Sequence, residues 1–295
     1  MDEKTSQTGR SLSEYLLLMG KGFCMGAADV IPGVSGGTMA FIMGIYEELL
    51  LAIKSFDLES VRLLATFNFR LFLDRVRWKF LLALCTGILA AIFTLARILT
   101  WLLVNQPIYV WSFFFGLILA SVLGVSRRIG SWRPLVFISL LAGITGIYMV
   151  LGLAPVNMPH TLWFLFISGA IAICAMILPG ISGAFVMVLL GQYQYVLEAV
   201  NQKDFLVLFV VAAGAAAGIS GFSRILSWLL KNCHDFMIAI LTGLMLGSLR
   251  KVWPWKQGSL NVLPAEINNE LVISLALMAS GLAVVLVIDK MGRRS

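Results

Sequence analysis

Charge is scarce in this 295-residue chain. Only 13% of its residues are Asp, Glu, Lys or Arg, against roughly 25% in a soluble domain. That shortage, beside 60% hydrophobic residues and a mean hydropathy of +0.94, excludes a soluble enzyme. It excludes disorder too, since a solvated chain cannot carry so much apolar surface. Histidine is nearly missing, with only His160 and His234, and the cysteines Cys24, Cys85, Cys174 and Cys233 stand far apart. No CxxC or HExxH spacing occurs, so no metal and no other cofactor is expected. The cysteines read as small apolar fillers. A secretory signal is missing as well: the tail 1–14 is polar and carries both signs of charge, without an apolar core or cleavage site. Both this tail and the tail 290–295 are expected in the cytoplasm. The basic excess, 22 Lys and Arg over 15 Asp and Glu, lies in short loops between apolar runs. It reads as membrane topology, and no nucleic-acid partner is expected.

What is abundant is long apolar sequence. A bilayer span takes about 20 apolar residues in a helix, and 80–104, 107–126, 134–152, 205–230, 235–249 and 271–289 qualify. Two other stretches, 15–54 and 162–200, are about twice too long for one span. Each is interrupted midway. IPGVSGG at 31–37 contains Pro32, Gly33, Ser35, Gly36 and Gly37, and LPGISG at 178–183 contains Pro179, Gly180, Ser182 and Gly183. Proline removes a backbone donor and clashes with the preceding turn, and glycine admits left-handed turns. Each stretch is predicted as two helices meeting at a broken tip, a hairpin that dips into or spans the bilayer.

Sidedness follows from counting cations. Suppose each hairpin enters and leaves on one side. Arg62, Arg70, Arg75, Arg77 and Lys79, then Arg127, Arg128 and Arg133, then fall in the cytoplasm, and the loops 105–106 and 153–161 hold no Lys or Arg. This obeys the positive-inside rule. Arg250, Lys251 and Lys256 are the exception and fall outside. The segment 57–77 mixes charge with Leu63, Leu64, Phe67, Phe69 and Phe72. It suits a helix in the cytoplasmic interface or a solvated connector.

The chain repeats itself. Residues 22–57 align with 169–204 without gaps, and 11 of 36 positions are identical, including Pro32/Pro179, Gly33/Gly180, Ser35/Ser182, Gly36/Gly183, Gly44/Gly191 and Tyr46/Tyr193. A second match sets RILTWLL at 97–103 against RILSWLL at 224–230. The offset changes by the length of the segment that only the first half carries. The expected fold is an all-α integral membrane protein of two repeats, 15–152 and 162–289, each a broken hairpin plus three transmembrane helices. Three crossings is an odd number, so the second repeat is inverted. Inverted repeats with broken helices mark transporters whose site lies at the repeat interface. Ala83, Gly87 and Ala91, and again Gly214 and Gly218, recur every four residues, spacing that lets membrane helices approach closely.

The breaks are the candidate site. Irregular backbone inside a membrane must line protein or a polar cavity. Ser35 and Ser182 stand at N-cap positions, and the free N–H groups of the next turn favour an anion such as phosphate. Gly36, Gly37 and Gly183 would let a ligand touch backbone. The simpler alternative is that each Ser caps its own helix. Arg97 and Arg224 are the matched charges within spans, either snorkelling to headgroups or offering a fork to a phosphate. Asp29 and Glu47 are the ionisable candidates for a coupling proton or sodium ion. Asp29 would equally serve to hold its hairpin in place, and Glu47, with Glu48, is expected near the cytoplasmic mouth.

The segments GFCMGAADVIPGVSGGTMAFIMGIYEELL and ILPGISGAFVMVLLGQYQYVLEAV resemble the PopT family of bacterial polyprenyl-phosphate translocases, over essentially the whole chain. The resemblance implies return of undecaprenyl phosphate from the outer to the cytoplasmic leaflet of the inner membrane, for peptidoglycan and other surface glycans. Polyprenyl phosphate and membrane lipids are then the implied partners. It carries over onto Asp29, Pro32, Gly33, Ser35, Gly36 and Gly37, and onto Pro179, Gly180, Ser182 and Gly183. Ala184 stands where the first copy has Gly37. An ion-coupled carrier of a small soluble anion would use the same helix ends. A lipid phosphatase would need a cluster of catalytic groups, and His160 and His234 are expected on opposite sides.

Overall fold

A computed structural model describes residues 10–30, 35–153, 155, 158–258, 260–264 and 266–292. Pro32 and Gly33 of the first break lie outside these, as do 1–9 and 293–295 of the two tails. The described residues form fourteen helices and one two-residue antiparallel ladder, Lys256–Gln257 with Leu260–Asn261.

The first half opens with α1 (Leu12–Asp29), α2 (Gly36–Ile42) and α3 (Tyr46–Lys54). Ser11 and Glu14 start α1 with reciprocal side-chain caps, which satisfy two of its orphan donors. Two short helices follow, α4 (Leu58–Ala65) and α5 (Phe69–Arg75), then three long ones, α6 (Trp78–Asn105), α7 (Pro107–Ser126) and α8 (Pro134–Leu151). The second half gives α9 (Leu162–Ile177), α10 (Gly183–Leu189), α11 (Tyr193–Gln202), α12 (Phe205–Asn232), α13 (His234–Ser248) and α14 (Asn269–Gly292).

Among the described residues five helices, α6, α7, α8, α12 and α14, are long and apolar enough to cross a membrane. The expected span at 235–249 is the exception. With 15 residues, α13 rises about 22 Å, short of a hydrocarbon core of roughly 30 Å.

The broken stretches correct the expectation of two helices each. Both contain three. Beyond the Pro-Gly break the chain bends again, by 117° between α2 and α3 and by 106° between α10 and α11. The physical reason is Gly44 at φ +69° and Gly191 at φ +67°, a left-handed conformation that only glycine adopts without strain. The carbonyl exposed at the end of α2, Met43, accepts from Lys21 Nζ at 3.0 Å. The matching carbonyl of Leu190 accepts from Gln192 Nε2 at 3.3 Å.

Small residues set the packing. A Cβ at Gly22 would strike the carbonyl oxygen of Leu84, one at Gly26 that of Ile88, and one at Gly87 that of Met19. Residue numbers rise together on both helices, so α1 and α6 lie side by side in the same direction. In the second half Gly169 meets Val211, Gly214 meets Phe166 and Gly218 meets Ala170, which joins α9 to α12 in the same way. The other two close pairs cross between halves. Gly116 meets Met278 and Gly281 meets Phe113, joining α7 to α14, while Gly143 meets Ile240 and Gly243 meets Leu140, joining α8 to α13.

Both ends of the first broken stretch lie together. Arg10 donates to both carboxylate oxygens of Glu48 at 2.7 Å, and its guanidinium lies 5.6 Å from the Phe80 ring centre. The start of α1, the first turn of α3 and the start of α6 therefore share one level. At that level α4 and α5 are clamped by Arg75, which pairs with Asp57 and Glu59. The guanidinium holds the Asp57 carboxyl below the usual carboxylate range. Leu64, Phe67, Phe69 and Leu71 on this pair are exposed.

Candidate functional site

The first break is held by its own residues. Asp29 ends α1, where a negative charge is unfavourable, yet it faces the start of α2, where one is favoured. Its Oδ1 accepts from the Gly36 N–H at 2.7 Å. Ser35 Oγ accepts from the Gly37 N–H at 3.1 Å, and the Ser35 carbonyl accepts from the Thr38 N–H at 2.9 Å. The first three N–H groups of α2 are thus all partnered, and Ser35 is 2% exposed.

This closed turn touches the second break. The Ser35 hydroxyl, besides capping α2, is 3.3 Å from the Met176 carbonyl and 3.4 Å from that of Leu178. Thr38 Oγ1 accepts from the Gly180 N–H at 2.9 Å, and the Tyr46 hydroxyl donates to the Ile177 carbonyl at 3.1 Å. Gly180 is buried at φ +89°, with the Leu244 carbonyl 2.9 Å from where a Cβ would stand. A side chain there would be strained and would collide with α13.

The second break is built differently. Ser182 opens α10 without a side-chain cap. The N–H groups of Gly183, Ala184 and Phe185 have no acceptor among the described residues. Ala184 is exposed and Ser182 half-buried. All seven residues of α2 are buried, whereas α10 buries Gly183, Val186 and Met187. The repeat in the sequence therefore folds into one sealed corner and one accessible corner.

The glycines expected to admit a ligand serve the protein's own packing. A Cβ at Gly36 would strike the Asp29 carboxylate. One at Gly37 would come 2.6 Å from the Ile177 carbonyl, and one at Gly183 2.8 Å from that of Ala172.

Among the described residues the expected charges Arg97, Arg224 and Glu47 make no hydrogen bond or ion pair with the breaks. Arg97 on α6 and Arg224 on α12 are exposed, and among the described residues neither guanidinium has a hydrogen bond, ion pair or ring contact. Glu47 is exposed, while its neighbour Glu48 takes the bond from Arg10. His160 stacks on Tyr195 of α11 with ring centres 4.3 Å apart and lies 2.9 Å from Gln192 Oε1, and His234 lies 3.3 Å from the Leu230 carbonyl at the end of α12, so each is engaged with a neighbouring element.

Three residues that sequence reasoning passed over shape the site. Tyr46 and Thr38 bridge the two breaks, and the identity of Tyr46 with Tyr193 was a visible signal. Lys251 places its Nζ 4.3 Å from the Phe185 ring centre, on the accessible half-helix. Its signal was the breach of the positive-inside rule.

Two broken apolar stretches joined at their corners are a specific enough arrangement to compare with known proteins. Residues 25–288 match the model of the VCA0040-like family, described as undecaprenyl phosphate translocase-like. The chain belongs to the VCA0040-like family. The matched span runs from α1 into α14, so the family likeness takes in both breaks and the α4–α5 insertion. The resemblance carried by the paired Pro-Gly-Ser-Gly cores is confirmed at this level. Among relatives in the family, a polyprenyl-phosphate transporter of Vibrio cholerae is 45% identical over 251 residues, covering 85% of this chain and 80% of the relative. A polyprenyl-phosphate transporter of Staphylococcus aureus is 32% identical over 253 residues, covering 79% of this chain and 84% of the relative. Both relatives are named as transporters, not as enzymes. No solved structure matches the chain.

Proposed function

We propose that this chain carries a polyprenyl phosphate, with undecaprenyl phosphate as the substrate, from the outer to the cytoplasmic leaflet of the bacterial inner membrane. The observation that carries this reading is the junction of the two breaks. Ser35 and Thr38 bond directly to the backbone of 176–180, so irregular, polar backbone from both halves meets inside an apolar bundle. Such backbone is tolerated at membrane depth only against protein or a polar cavity. The names of the relatives supply the substrate class.

In this reading the two halves are inverted repeats and each broken stretch is a re-entrant hairpin. The pairing of Arg10 with Glu48 supports a return to the side of entry. The phosphate head binds first at the accessible corner, at Ser182 and the N–H groups that open α10. Rocking of one repeat against the other closes that corner and opens the turn at Ser35, Gly36 and Gly37, releasing it from Asp29. The prenyl tail stays in lipid throughout. Arg97 and Arg224, exposed on the flanks of α6 and α12, meet the phosphate as it travels along the lipid boundary. Asp29 is the group that would couple the cycle to an ion.

The test uses vesicles containing the purified full chain and a fluorescent polyprenyl phosphate, whose outer-leaflet pool is bleached by an impermeant reductant. Protein-dependent loss of the protected pool is expected, slowed on the order of tenfold by Ser182→Ala and by the pair Arg97→Ala with Arg224→Ala. Loss no faster than in empty vesicles would reject transport. Unchanged rates in the variants would reject these site assignments.

A further inference from the structure

The loop after α13 carries Arg250, Lys251 and Lys256, three cations within seven residues. Each stands over an aromatic ring from a different helix. Arg250 lies 4.2 Å from the Tyr148 ring centre on α8, Lys251 4.3 Å from Phe185 on α10, and Lys256 5.2 Å from Trp111 on α7. No ion pair joins any of them to a carboxylate among the described residues. The loop itself is fixed. Val252 and Trp255 are buried, Trp253 Nε1 donates to the Val262 carbonyl at 2.8 Å, and Asn261 Nδ2 donates to the Arg250 carbonyl at 2.9 Å. The cations are therefore held in an array by these rings and, for Lys256, by a hydrogen bond from its Nζ to the Lys251 carbonyl at 2.6 Å, with no carboxylate among the described residues to neutralise them.

This arrangement is unfavourable without a visitor. Partial burial lowers the Lys251 and Lys256 ammonium pKa values, and the Lys251 charge lowers that of Lys256 further. Ring faces and the single carbonyl that Lys256 reaches return only part of the lost hydration, and neither supplies a counter-charge. The array also lies at the membrane face where α7 begins and α8 and α13 end, opposite the level of Arg10. Basic loops are disfavoured on one of the two faces of a membrane, and by the cation count this is that face.

We propose that Arg250, Lys251 and Lys256 form a reception site for an isoprenoid phosphate monoester, which they hold beside the accessible half-helix α10 before it enters the bundle. This rests on the reading of the chain as a polyprenyl-phosphate carrier. A phosphomonoester carries close to two negative charges near neutral pH, since its second pKa is about 6, whereas a phosphodiester lipid carries one. A three-cation array with no internal counter-charge discriminates in favour of the monoester. The flat rings of Phe185, Trp111 and Tyr148 offer apolar surface for the first isoprene units, which free phosphate lacks.

The experiment measures binding of radiolabelled farnesyl phosphate to the full chain in phosphatidylcholine nanodiscs. The wild type is expected to bind it and to keep it against equal concentrations of inorganic phosphate or phosphatidylglycerol. The double variant Lys251→Gln/Lys256→Gln is expected to bind on the order of tenfold more weakly, and Lys251→Arg/Lys256→Arg within about twofold of wild type. If the glutamine pair fails to give a monodisperse protein, Arg250→Gln, at an exposed position, carries the same comparison. Equal affinity of wild type and charge-removed variants, or equal displacement by phosphatidylglycerol, overturns the reception site while leaving transport in the vesicle assay untouched. No farnesyl phosphate binding by wild type overturns the reception site as well, and loss of vesicle transport in the same preparation then takes the proposed function with it.

Discussion

Tyr46 donates its phenolic hydrogen to the carbonyl of Ile177 at 3.1 Å, across 131 positions of the chain. Tyr46 is 2% exposed, so this bond joins the two halves where water is absent. Its repeat counterpart, Tyr193, is 39% exposed, and its hydroxyl makes no hydrogen bond among the described residues. Tyr46→Phe leaves the Ile177 carbonyl without that donor and is expected to destabilise the protein by about 1–3 kcal/mol. Tyr193→Phe is expected to change nothing. Thermal unfolding of the two variants in detergent, compared side by side, checks the contrast.

Asp29 offers a way to separate a latch from a coupling group. Its contact is an acceptor role toward the Gly36 N–H. Asn retains an acceptor oxygen, so Asp29→Asn is expected to fold with near wild-type stability, whereas Asp29→Ala strands a backbone donor at a cost of about 1–3 kcal/mol. If Asp29 is only a latch, the Asn variant transports normally under every ion gradient. Loss of gradient dependence in a stable Asn variant assigns it the coupling role.

Glycine substitutions are expected to divide sharply by place. Gly87→Ala would drive a methyl group into the Met19 carbonyl, and Gly214→Ala into that of Phe166. Each should cost about 1–3 kcal/mol by forcing α1 from α6, or α9 from α12. At Gly20 and Gly221 a Cβ would meet nothing within 4 Å, and Ala there is expected to be neutral or slightly stabilising. Melting temperatures of the four single variants give the answer.

The unlike corners predict unlike chemical accessibility. In a background lacking the exposed Cys85, a cysteine at exposed position 184 should react rapidly with a water-soluble maleimide. A cysteine replacing Ser35, 2% exposed, should react slowly. Equal rates at the two positions in substrate-free protein would contradict the closed and open corners described above.

Much of this architecture was legible because its signals are chemical extremes. Pro179 with Gly180 in an otherwise apolar run has no reading other than a break, and a recurrence of the same letters 147 positions apart pairs the two breaks. The second bend was hidden. Gly44 and Gly191 are single glycines, and a lone glycine in an apolar stretch is compatible with a continuing helix until φ is known. Around Ser35 the sequence left two readings open, a cap on its own helix or a free site for an anion, because Asp29 and the Ser35 hydroxyl meet the Gly36 and Gly37 N–H groups only once the turn closes. Arg97 and Arg224 were legible as charges in spans, but which flank of the helix carries them depends on how α6 and α12 pack. Lys251 stood out in the cation count as an anomaly, and only the placement of Phe185 gives it a neighbour of consequence.

The crossing of α7 with α14 and α8 with α13 bears on how the molecule is made. Gly116 awaits α14 and Gly143 awaits α13, helices that come only in the second half of the chain. During synthesis the first half leaves the ribosome with two notched surfaces unfilled, and these must be shielded by the insertion machinery or by lipid until the carboxyl-terminal helices arrive. Completion of the first half then waits on the last helix of the second, and a chain cut short anywhere before α14 leaves a seam open in the half that was made first.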